Sequence, residues 1–107
     1  MANTLSGSVA VEVIREMGCT PEDLMRWLAK ALGDLYQSTS LVIDDRELLH
    51  GMPPRILLQG ATLKSRKIAL LSIPVLKLRI TFDQSFSVRQ IESILGRFDL
   101  YTRRGGG

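Results

Sequence analysis

The sharpest patterning in the chain runs from Lys67 to Phe98, and its period changes part-way. From Val75 to Phe82 the residues alternate, with Leu76, Leu78, Ile80 and Phe82 on one side and Val75, Lys77, Arg79 and Thr81 on the other. A period of two predicts a strand with one face in a core. Asp83 to Phe86 interrupts it. From Ser87 onward the apolar positions become Val88, Ile91, Ile94, Leu95 and Phe98, the spacing of an amphipathic helix. Ser87 and Gln90, three residues apart, predict a reciprocal capping box at the start of that helix.

A second helix is predicted from Pro21 to about Gln37. Thr20 is suited to the N-cap and Pro21 to the first helical position, and Glu22 and Asp23 complement the helix dipole. Leu24, Trp27, Leu28, Ala31, Leu32 and Leu35 then give a broad apolar stripe. Gly33 within it costs about 1 kcal/mol relative to alanine and marks close packing or an early end.

The other stretches read as strands and breaks. Residues Val9 to Ile14 alternate, with Val9, Val11 and Val13 expected toward the helices and Ala10, Glu12 and Ile14 away from them. Leu41 to Ile43 is a short strand halted by Asp44 and Asp45, and Arg46 to His50 is ambiguous, a helical turn being one reading. Gly51 to Pro54 is a firm break, because two prolines remove adjacent donors. Arg55 to Gln59 and Arg66 to Ser72 read as two strands joined through Gly60 to Ser65. Ile68 to Leu71 is apolar on every side, which suits a central strand covered on both faces or one buried at a dimer contact. Pro74 ends that strand or sits on a bulge, and Leu100 to Arg104 reads as a brief edge strand.

Strand, helix, three or four strands and helix predict one α+β domain over residues 1–107, with tails at 1–7 and 103–107. The expected form is a two-layer sandwich: an antiparallel sheet of four to five strands with both helices on one face. Its shape is closest to the ferredoxin-like, split βαβ order, a likeness that carries no function. Lys77 and Arg79 then lie on the open face, and Glu12 is expected to pair with one of them across strands. Ile14 and Val75 make that face half apolar, a composition often covered by a second copy.

Composition narrows the class. The chain is 45% apolar and 23% charged, which excludes wholesale disorder. One cysteine, no basic segment leading into an apolar run, and no stretch of roughly 20 apolar residues together predict a soluble cytoplasmic protein without a membrane partner. The net charge of +3 is unevenly spread, since the twelve ionic residues before Pro54 balance to −4 and those from Pro54 onward to +7. In an interleaved fold much of this is expected to cancel within the molecule.

Candidate chemistry is sparse. Cys19 precedes a helix, where the dipole favours a thiolate, but inert packing is the expectation. Asp44, Asp45, Glu47 and His50 fall close together without the spacing of any defined metal loop, so a solvated turn is expected and no metal or other cofactor is assigned. Gly60 to Ser65 lacks the glycine spacing of a phosphate loop, and no nucleophile elbow occurs, so nothing supports catalysis. The predicted role is a small interaction module that self-associates, as a dimer, or binds a protein partner through its sheet face or edge, with Glu12, Lys77 and Arg79 at the contact. The alternative is nucleic-acid or polyanion binding through Lys64, Arg66, Lys67, Arg103 and Arg104, which the shortage of aromatic residues on the strands disfavours.

Overall fold

The computed structural model describes residues 10–106, with side chains described as far as Thr102. Residues 1–7, expected as a tail, lie outside the description, as does Gly107. Five strands and two helices follow: β1 (Val11–Met17), α1 (Pro21–Leu32), a 3₁₀ turn (Gly33–Ser38), β2 (Thr39–Ile43), β3 (Arg46–Leu49), β4 (Ile56–Ile68), β5 (Leu71–Phe82) and α2 (Val88–Gly106).

Both helices start as their sequences dictate. Thr20 Oγ1 accepts from the Asp23 amide at 3.1 Å while the Thr20 amide donates to Asp23 Oδ2 at 3.2 Å. Ser87 and Gln90 repeat the exchange at 3.1 and 2.7 Å. Helix α1 stops at Leu32, short of the expected Gln37, because Gly33 takes φ +59° and the chain tightens into the 3₁₀ turn. Arg97 of α2 donates from Nε to the Lys30 carbonyl at 2.8 Å, placing a cation at the negative end of α1. Helix α2 runs on through the stretch expected as an edge strand at Leu100 to Arg104, with Thr102 buried and bonded back to the Phe98 carbonyl.

The sheet order is β1-β5-β4-β2-β3. Strands β1 and β4 pair with β5 antiparallel and β3 with β2 antiparallel, but β2 and β4 run parallel. The sheet is therefore mixed, not purely antiparallel as expected. It also departs from split βαβ order, because two strands, β5 and β4, stand between the β1 and β2 that α1 connects. Two local features bring this about. Arg46–Leu49 is a strand rather than a helical turn, since Asp44 and Asp45 both adopt positive φ (50° and 66°) and close a two-residue hairpin. The Gly51–Pro54 segment then recrosses the start of β2, with the Arg55 amide donating to the Ser38 carbonyl at 2.8 Å, and β4 departs in the direction of β2.

The core lies between this sheet and the two helices. Leu76, Leu78, Ile80 and Phe82 of β5 and Ile56 and Leu58 of β4 pack against Leu24 and Leu28 of α1 and Ile91 and Phe98 of α2. The Phe82 ring meets Phe86 edge to face at 5.9 Å. At the rim, Arg15 of β1 grips Asp99 of α2 with Nε and Nη2, each at 3.0 Å, and this bond raises the guanidinium's already high pKa further.

The two stretches expected as separate strands, Arg55 to Gln59 and Arg66 to Ser72, are not separate. Strand β4 runs unbroken from Ile56 to Ile68 and turns at Ala69 and Leu70, where Ala69 takes φ 54°. Of the two readings of Ile68 to Leu71, a central strand covered on both faces or one buried at a dimer contact, the first is overturned: the stretch is the tip of this hairpin. The reason is register. Strand β1 ends at Met17 opposite Leu76, and β2 ends at Ile43 opposite Gly60, so among the described residues no third strand flanks residues 61–75. Opposite Pro74, two β4 residues, Lys64 and Ser65, occupy the space of one, so the proline sits on a bulge where a missing donor is tolerated. The hairpin stretches the molecule to 51 Å along an axis where the other dimensions are 28 and 23 Å.

Candidate interaction surface

The face of the sheet turned away from the helices is largely open among the described residues, although Val75 on it is buried. Alternation along β5 puts Leu71, Ile73, Val75, Lys77, Arg79 and Thr81 on it, opposite Ile68, Arg66, Leu63, Ala61, Gln59 and Leu57 of β4. Strand β1 contributes Glu12, Ile14 and Glu16, opposite Thr81, Arg79 and Lys77. The expected pairing of Glu12 with a cation is thus replaced: Glu12 faces Thr81, and Glu16 faces Lys77.

This face divides into two zones. Near the core, Ile14, Gln59, Gly60, Ala61, Lys77 and Arg79 line a shallow depression of about 270 Å³. Glu16 turns its carboxylate to Arg66 at 2.7 Å, so the described ion pairs leave Lys77 and Arg79 without a partner. Farther out, the arm formed by residues 61–75 carries exposed Leu63 and Ile68, with Leu71 67% exposed and Leu70 wholly so. It also carries Lys64, Arg66 and Lys67 and no acidic residue. Arg103 and Arg104, named with those cations for polyanion contact, lie in the last turns of α2, and their side chains are outside the described residues.

The other chemically suggestive residues stay apart. His50 Nδ1 lies 3.0 Å from Glu47 Oε2. Asp44 turns to Thr62, accepting from its amide at 3.0 Å and its hydroxyl at 2.6 Å, which lowers the carboxyl pKa. Among the described residues no three histidine, cysteine or acidic side chains gather as a metal site. No helix there is long and apolar enough to cross a membrane.

The chain matches no known family model, curated protein or solved structure. Its surface must therefore be read from its own chemistry.

Cys19 is packed into the core, the inert role expected of it, even though it precedes a helix. It is 2% exposed, and burial, followed by the nearby Asp23 charge, pushes its pKa up to about 11 from the ordinary 9.0. Desolvation outweighs the dipole, and the thiolate is disfavoured. Because the folded pKa lies above the unfolded one, the stabilisation is complete below pH 9 and is lost as pH rises toward 11. Denaturant midpoints measured from pH 8 to 11 should fall more steeply for the native chain than for Cys19→Ala. Alkylation of Cys19 at pH 8 should be slow until the protein unfolds.

Proposed function

We propose that the protein is a non-catalytic interaction module that self-associates through the open face of its sheet and the β4–β5 arm. The observation that carries this reading is the arm itself. A two-stranded ribbon is marginal alone in water, and this one has two edges unflanked among the described residues and a row of bare aliphatic side chains at its tip. Exposed apolar surface of this kind marks a contact site or an aggregation hazard. A second copy supplies the same apolar ladder in return, so one patch serves both partners.

Light scattering at micromolar concentration should give twice the monomer mass. Leu70→Asp with Leu71→Asp should weaken the dimer while leaving the unfolding midpoint of the isolated monomer nearly unchanged, since neither side chain touches the core. A monomeric native protein, or a double variant that still dimerises with native affinity, would overturn the reading.

The acid-free arm also supports a second reading, polyanion binding, with Lys64 and Lys67 unpaired on the ribbon. That reading requires binding to heparin or random oligonucleotides that weakens steeply with salt, because each neutralised phosphate releases counterions. Absence of binding at low salt removes it.

A further inference from the structure

On the open face the cations of β5 and a carboxylate of β3 share cross-strand rows, while Glu12 and Glu16 of the edge strand β1 lie outside the cations. One row runs Ile14, Arg79, Gln59, Val42 and Glu47 through β1, β5, β4, β2 and β3. The adjacent row runs Glu16, Lys77 and Ala61 and meets the β2–β3 turn, where Asp44 binds Thr62 and Asp45 stands exposed. Arg79 and Glu47 are three strand steps apart, about 14 Å, and the midline between them falls between β4 and β2. The residues at that midline, Gln59 and Val42, carry no charge.

This arrangement is self-complementary. Turning a second copy by 180° about an axis along the strands, on that midline, exchanges the two sides and preserves the level of each row. Arg79 then faces the partner copy's row end at Glu47, and Lys77 faces the turn at Asp45, twice per dimer. Sheets packed face to face stand about 10 Å apart, a gap that a long cation and a carboxylate span together. We propose that two copies pack open face to open face about this axis, with Lys77 and Arg79 of each copy paired to Asp45 and Glu47 of the other. An unrelated acidic partner would satisfy the cations but leave Asp45 without a cation and Glu47 with His50 alone, whereas a second copy serves both sets at once. The inference rests on the self-association proposed above and adds its axis and its charge pairing.

A charge exchange tests it. Lys77→Glu with Arg79→Glu should weaken dimerisation by ~100-fold or more, since like charges then oppose each other at both ends. Asp45→Lys with Glu47→Lys should do the same for the same reason. Mixed in equal amounts, the two variants should form a heterodimer, because every contact between them is again between opposite charges. Circular dichroism on each variant alone confirms that it folds, all four positions being exposed. If either variant alone dimerises with native affinity, or if the mixture stays monomeric, the charge pairing is overturned while self-association by another surface survives. A native protein that is itself monomeric overturns both.

Discussion

Phe82→Ala should lower the free energy of unfolding by about 3–5 kcal/mol, the range for emptying a buried aromatic site. The expectation rests on where the ring sits. Phe82 is wholly buried, lies opposite Val11 and Ile56 on the neighbouring strands, and packs edge to face on Phe86. Phe86 in turn stacks beneath the Arg55 guanidinium at 4.2 Å. Removing the Phe82 ring therefore loses its transfer free energy and leaves a void that a sheet interior cannot close. Urea denaturation followed by tryptophan fluorescence, through Trp27 at the core's margin, measures the loss. A change below about 1 kcal/mol would mean that β5 does not present this face to the helices.

The second large effect comes from a residue with no side chain. Gly51→Ala should destabilise by at least about 2 kcal/mol, because a Cβ there would lie 2.8 Å from both the Ser38 carbonyl carbon and the Thr39 amide nitrogen. Both are backbone atoms at the start of β2 and cannot swing aside. The Gly51 amide also donates to Ser40 Oγ at 3.0 Å, so moving the loop away breaks a buried bond. Gly96→Ala is the matched control, since a Cβ at that helical glycine meets nothing within 4 Å and should stabilise by a few tenths to about 1 kcal/mol. Equal effects from the two substitutions in a denaturant titration would refute the close crossing at Gly51.

These two positions also mark what the sequence does and does not disclose. Phe82 belongs to a strand buried on one face only, and α1 and α2 are amphipathic, so their periods state which sides face inward. Gly51 looks like an ordinary break beside two prolines. Its tight passage over Ser38 and Thr39 is a contact between distant segments, and it is what turns β4 parallel to β2. The β2–β3 hairpin was obscured by its turn, which uses two aspartates where asparagine and glycine would have announced it. The arm was misread for a different reason. Both of its faces meet solvent, so Ile68 to Leu71 shows no alternation, and an unbroken apolar run resembles a doubly covered strand.

The proposed contact was half visible. Lys77 and Arg79 stand out because each lies between two core residues of β5. Glu47 does not, because its place on that face depends on register across four strands, which no local pattern fixes, and Asp45 is an exposed turn residue at the end of the next row. Glu12 shares this face of β1 with Glu16, and only the register of β1 against β5 decides that Glu16, four residues on, lies opposite Lys77.

The bulge at Pro74 separates the β4–β5 ribbon from the globular body, and beyond it the one described ion pair to a neighbouring strand is Arg66 with Glu16 of β1. Descendants of this sequence could gain or lose residue pairs in each limb of the ribbon, changing its reach by roughly 7 Å per pair while every inward-facing position keeps its orientation. The length of the projecting limb is thus geometrically separable from the packing of the body.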